Sequence, residues 1–227
     1  MYGLSDKDWP ELRALLNSIP NIREIDPTKE KLLVSMFADP NLDIGTDIIV
    51  KATFIQDVHQ FCGFQTNGNR FILYKMCKKV IAKLDLIKIK KLPQVGDKVL
   101  VKYGSEVCRA VVLNRMDPGS VKIYFIDYGL CQKAKKCGLF EYDQTLNEYP
   151  PFGIFFRIHG IEPCKTNDMD VIQGMQTVLI PKKLSGKVVG INQINENKVE
   201  IEADFWDANG SDIGKTLIKR KLARISE

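Results

Sequence analysis

Between Val95 and Cys131 apolar and polar positions alternate in short runs separated by turn chemistry. Val99, Val101 and Tyr103 alternate with Lys98, Leu100 and Lys102, Gly104-Ser105 breaks the run, and Arg109 to Leu113 forms a second run, which together predict a hairpin. Asp117-Pro118-Gly119-Ser120 is a turn in which proline fixes one dihedral and glycine accepts a positive one. Val121 to Asp127 is β-branched and aromatic and predicts a third strand ending at Tyr128-Gly129.

The flanking chain alternates between helix and strand patterns. Ser5 to Ile19, capped by Ser5 or Asp6, and a segment from Asp26-Pro27 burying Leu33, Met36 and Phe37 predict two helices. Asp47 to Gln65 reads as a strand pair and Asn67-Gly68-Asn69 as a turn. Leu73, Cys77, Val80, Ile81 and Leu84 then form one stripe of a helix whose lysines solvate the outer face. Beyond Pro150-Pro151, Ile154 to Ile158 predicts a strand and Asp168 to Val178 a helix. Leu184–Gln193 and Val199–Phe205 predict an antiparallel pair with Val188, Ile191, Val199, Ile201 and Ala203 as core. A last helix is expected after Gly210, with Ser211 as cap and Asp212 in its first turn.

With 227 residues, 44% of them hydrophobic, the chain can bury a sizeable core, and its order suggests one module inserted in another. No apolar run is long enough to span a membrane, and the N-terminus carries no apolar signal region, so neither a span nor secretion is inferred. A net charge of +5 permits nucleic-acid binding without arguing for it. The six cysteines form no CxxC pair and the two histidines are far apart, a poor pattern for zinc; buried free thiols are the simpler reading. No clustered Asp, Glu and Arg set in 44–66 or 150–207, and no supported Ser-His or Cys-His pair, offers catalytic machinery, so no enzyme activity and no cofactor are expected.

Three segments carry a family resemblance: Val95-Gly96-Asp97-Lys98-Val99, Cys108-Arg109-Ala110-Val111-Val112, and Val121 through Gly129 with its Phe125-Ile126-Asp127-Tyr128-Gly129 ending. Together they resemble a Tudor domain, and the whole arrangement resembles an extended Tudor domain. The resemblance implies a β-rich α+β fold: a five-stranded, SH3-like Tudor barrel joined by a long helix to a split OB fold like that of staphylococcal nuclease. On that pattern an N-terminal helical segment occupies 1–43 and the extended Tudor domain 44–227. Its nuclease-like part takes 44–66 and 150–227, the linker helix 69–91 and the Tudor core 93–148.

The family implies capture of arginine-containing peptide tails, often symmetrically dimethylated, by a cage of four aromatics and an asparagine. A guanidinium keeps its charge on methylation and stacks on aromatic faces. Tyr103, Phe125 and Tyr128 match three cage aromatics, while Cys108 stands where the second aromatic belongs and Leu130 replaces the asparagine. Asp127 either holds the strand end or favours a nearby arginine. The candidate peptide-binding set is therefore Tyr103, Cys108, Phe125, Asp127, Tyr128 and Leu130, and the missing ring and amide predict a preference for unmethylated arginine or little dependence on methylation. Phe125 and Tyr128, three residues apart, serve one pocket only if the chain bends before Gly129.

The resemblance thus implies a non-enzymatic adaptor binding the arginine-rich tail of a PIWI-type Argonaute protein, in the cytoplasm or in perinuclear germ granules. Two alternatives stand beside it: an RNA-binding module using the lysines between 75 and 91, for which a solvated helix face is the plainer account, and a methylarginine reader despite the changed cage.

Overall fold

The computed structural model describes residues 41–164, 169–180, 182–195 and 198–226; the two helices expected within 1–40 lie outside the described residues. The chain divides into two units. One contains Asp85–Phe125 and Cys131–Asp143, the other the described part of the chain up to Leu84, Ile126–Leu130 and the chain from Gln144 onward.

The second unit is built on a closed barrel of five strands: β1 (Asp47–Ile55), β2 (Gln60–Gln65), β8 (Ile154–Ile158), β10 (Lys183–Asn195) and β11 (Lys198–Trp206). Their order around the barrel is β1-β10-β11-β8-β2, antiparallel except for the parallel pair β11–β8. β1 shows why alternation suffices to orient a strand: Ile48, Val50 and Ala52 point inward while Asp47, Ile49 and Lys51 stay exposed. Inside, Phe61 stacks on Phe156 at 5.4 Å between ring centroids and meets Phe205 edge-on at 5.2 Å. Gly63 permits the close approach of β1 and β2, since a Cβ there would lie 2.8 Å from the Lys51 carbonyl oxygen.

Helices close this barrel. α1 (Gly68–Ile81) begins after Asn67, whose side-chain oxygen accepts from the Ile49 amide at 3.0 Å, so the expected turn at 67–69 is the helix start. The helical part of the 69–91 segment ends at Ile81, because the lysine-rich stretch after it lacks an apolar stripe to bury. Cys77 and Ile81 of the expected stripe are buried, while Leu73 is 39% exposed and Tyr74 packs inward in its place. α2 (Met169–Leu179) packs Val171, Met175 and Val178 onto the core, close to the span its pattern predicts.

α3 (Ile213–Lys219) is capped by Asp212, whose carboxylate accepts from the Lys215 amide at 2.9 Å, rather than by Ser211. Ser211 instead donates its amide to Asp207 and is part of the preceding turn. After α3 the chain reverses at Lys221, which has φ +58°, and the amides of Lys221 and Leu222 return to the carbonyls of Ile218 and Leu217. Two short strands, β9 (Ile161–Pro163) and β12 (Ala223–Ile225), then pair where the sequence pattern predicts only a strand exit and a helix end. Of the expected core of the β10–β11 pair, Val188, Ile201 and Ala203 are buried and Ile191 is exposed, because β10 outruns the barrel wall toward its hairpin tip.

The first unit is a five-stranded sheet in the order β6-β5-β4-β3-β7, comprising β3 (Lys98–Tyr103), β4 (Glu106–Asp117), β5 (Ser120–Phe125), β6 (Leu130–Lys135) and β7 (Leu139–Phe140). β3, β4 and β5 follow the three predicted strands, although β4 extends from Glu106 to Asp117 and β5 stops at Phe125. The segment around Lys88 runs beside β7: Ile89 donates to the Leu139 carbonyl and Glu141 to that of Ile87. The fold is thus the β-rich α+β class expected, a five-stranded sheet unit and a closed five-stranded barrel with few helices.

Candidate functional site

The candidate residues divide between the two units. In the five-stranded sheet, Tyr103 ends β3, paired opposite Glu106, and keeps 43% of its surface exposed. Its ring lies 5.1 Å from that of Phe125, tilted by 51°. Phe125 itself has no exposed surface, so of the two rings only Tyr103 presents aromatic surface to solvent. Cys108 sits opposite Val101 on β4 and is 1% exposed; it faces the interior and contributes a packed thiol.

The other three residues belong to the barrel unit. Phe125 ends its strand and Ile126–Gly129 form a turn, with Gly129 at φ +72°, so the required bend is present. Asp127 is buried and accepts from the Phe152 amide at 3.1 Å. That is the strand-end role rather than a free carboxylate awaiting an arginine. The Tyr128 carbonyl accepts from the Thr53 hydroxyl at 2.7 Å, and its own hydroxyl is 3.2 Å from that of Tyr74. Leu130 is half-buried at the start of β6.

Tyr128 belongs to an aromatic cluster that the sequence pattern does not mark. Phe64 meets Tyr128 edge-on at 6.4 Å and stacks on Tyr74 at 4.8 Å, and Tyr74 meets Phe152 edge-on at 5.4 Å. The Lys78 ammonium sits 6.0 Å from the Tyr128 ring centre, and Lys75 lies 4.7 Å from that of Phe71. The usable signal is Phe71 and Tyr74, spaced three apart on α1 and thus neighbours on one helix face. The competing apolar line through Leu73 obscures it.

A polar cluster on the outer face of β2, β8 and β11 is also invisible in the sequence pattern. Arg157 Nε and Gln60 Nε2 each donate to the Glu200 carboxylate at 2.7 Å, and the Lys198 ammonium lies 4.3 Å from the Phe155 ring centre. Burial pushes the Lys198 pKa down, against the attraction of Glu200. It likewise lowers that of His59, with the Arg157 charge acting in the same direction. Cys62, also on β2, has its thiol pushed up to about 12 by burial, so it is protonated at neutral pH and a poor nucleophile. Both Glu200 oxygens already accept hydrogen bonds, which makes this group a structural ion pair. Among the described residues no group of three or more His, Cys, Asp or Glu side chains could hold a metal ion, and no helix is long and apolar enough to cross a membrane.

The Tudor domain family profile matches residues 43–160, more than half of the chain. The chain belongs to the Tudor domain family. Among solved structures it resembles the human TDRD1 extended Tudor domain, in complex with a symmetrically dimethylated peptide, at 20% identity and TM-score 0.65, covering 89% of this chain and 99% of that one. It also resembles the Drosophila melanogaster Papi extended Tudor domain, determined with a Piwi N-terminal peptide. With the symmetrically dimethylated peptide the TM-score is 0.67, with the unmethylated one 0.68, both at 14% identity and covering 80% of this chain and 100% of that one. At these identities the likeness establishes the extended Tudor fold. No curated protein sequence matches the chain.

Proposed function

We propose that this Tudor-family chain is a non-enzymatic adaptor of the Krimper type. It captures an arginine-rich tail of a PIWI-type Argonaute protein with little dependence on methylation, in the cytoplasm or perinuclear germ granules. In this reading residues 44–227 are one extended Tudor domain, with 44–66 and 150–227 as its nuclease-like part and 93–148 as its Tudor core. The observation that carries it is the Tyr103–Phe125 pair: a partly exposed ring beside a fully buried one, with Cys108 an interior thiol that offers the ligand no further ring. One open face attracts a guanidinium by cation-π stacking, and a methyl group added to that guanidinium gains no enclosing wall. The extended Tudor structures with methylated and unmethylated peptides support an arginine peptide as the class of partner.

The test is titration of an unmethylated arginine-alanine tail peptide into the wild-type chain and into Tyr103→Ala. A cation-π contact at an exposed ring contributes about 1 kcal/mol, so Tyr103→Ala should weaken binding about fivefold. Unchanged affinity would place the arginine elsewhere.

A further inference from the structure

The five-stranded unit carries a second concave feature at the far end of β4 from Tyr103. Tyr103 pairs with Glu106 at one end of β4 and Asp117 with Ser120 at the other. At about 3.3 Å per residue, roughly 35 Å of strand separates the two ends. Here the β4–β5 turn, the end of β6, the 3-10 turn Lys136–Gly138 and the segment at Lys88-Ile89 border an open pocket of about 540 Å³. Lys88, Lys133, Lys135 and Lys136 line it together with Ile89 and Pro118, against a single acidic side chain, Asp117.

That aspartate is already engaged. It pairs with Lys133 and accepts from the Ser120 hydroxyl at 3.1 Å, and these two donors hold its carboxyl below the usual range. Lys136 donates to the Lys90 carbonyl at 2.5 Å, which fixes its stem across the cavity edge. Lys88 and Lys135 are exposed, and among the described residues no acidic side chain pairs with them. Lysines on an exposed edge strand such as β6 can serve only to prevent strand pairing. That accounts for Lys133 and Lys135, but not for the convergence of Lys88 and Lys136 from other segments over apolar walls.

We propose that this cavity is a binding site for an acidic peptide segment of a protein partner, one that places an apolar side chain between carboxylates. Its volume suits a few side chains, its walls at Ile89 and Pro118 are apolar, and its rim is cationic. Single-stranded RNA is the poorer fit: no aromatic ring lines the cavity to stack a base, and the concavity offers no extended track for a phosphodiester chain. The site is independent of the arginine site at Tyr103.

The experiment is fluorescence anisotropy of the full 227-residue chain with a labelled peptide of alternating glutamate and leucine, beside an oligouridine RNA of equal charge. The proposal expects saturable peptide binding that weakens with added salt and falls at least tenfold in Lys88→Glu plus Lys135→Glu. Both are surface positions, and the arginine-alanine peptide should bind that variant within about twofold of wild type, which separates this site from the one at Tyr103. Absence of saturable peptide binding, peptide affinity unchanged in the double variant, or RNA bound more tightly than the peptide through these two lysines would each overturn it.

Discussion

The closed barrel and the five-stranded sheet use aromatic residues in opposite ways. In the barrel unit Phe61, Phe156 and Phe205 pack on one another, and Tyr128 is held by Phe64, the Tyr74 hydroxyl and the Thr53 hydroxyl. In the sheet, Tyr103 rests one face on Phe125 and leaves the rest exposed. Charged groups do not follow the aromatics: the barrel's Arg157–Glu200 pair is hydrogen-bonded and partly buried, while the sheet unit buries Arg109 completely and leaves Lys88 and Lys135 exposed at the pocket. A closed barrel has no strand edge and satisfies its groups internally. An open sheet of five short strands leaves ends and rims where unsatisfied surface remains for a partner.

The sharpest way to break this contrast is to exchange consequences between the two regions. Phe156→Ala removes a fully buried ring from the barrel core and should destabilise the chain by about 3–5 kcal/mol in denaturant unfolding. A loss comparable to that of an exposed residue would mean that the barrel does not carry the fold.

Cys108→Phe asks whether the cage can be restored on the sheet. The site is packed, so the larger ring should cost about 1–3 kcal/mol of stability and confer no preference for a dimethylated peptide, read by unfolding and titration on the same protein. A stable variant that prefers the methylated peptide would mean that position 108 faces the ligand.

A smaller effect tests the barrel's burial through pH. The Cys62 thiol has its folded pKa raised from 9.0 to about 12. The folded state keeps the proton where the unfolded state releases it, so the stabilising contribution is complete below pH 9 and is lost as pH rises through that window. The slope is about 1.4 kcal/mol per pH unit. Lys198 has the opposite sign: burial lowers its folded pKa, so its contribution rises with pH just below the ordinary lysine value. Stability measured from about pH 9 to about pH 10 should therefore decline less in Cys62→Ala than in wild type. Equal slopes would show that the Cys62 thiol is not buried.

The same division explains what could be read from the residues. The sheet's strands were legible because their pairing is local: Lys98–Tyr103 meets Glu106–Val111 across a short turn, and Asp117-Pro118-Gly119-Ser120 fixes the next one. The barrel's strands were legible one at a time from alternation, but their closure came only from the family resemblance, since β1 pairs with β10 across more than a hundred residues and alternation carries no partner information. α1 is legible as a helix and Cys77 and Ile81 of its expected stripe are buried, but at its start Tyr74, a polar-tipped ring, packs on Phe64 while Leu73 stays exposed. For the site, the bend at Gly129 follows from spacing, and the complete burial of Phe125 does not, because tertiary packing decides which ring of a pair stays exposed.

The central claim is that the sheet's aromatic pair captures arginine without enclosing it, and calorimetric titration with matched arginine-alanine tail peptides, unmethylated and symmetrically dimethylated, tests it most directly. The account predicts dissociation constants for the two peptides within about threefold of each other, a difference below about 0.7 kcal/mol. A tenfold or greater gain on dimethylation would contradict it.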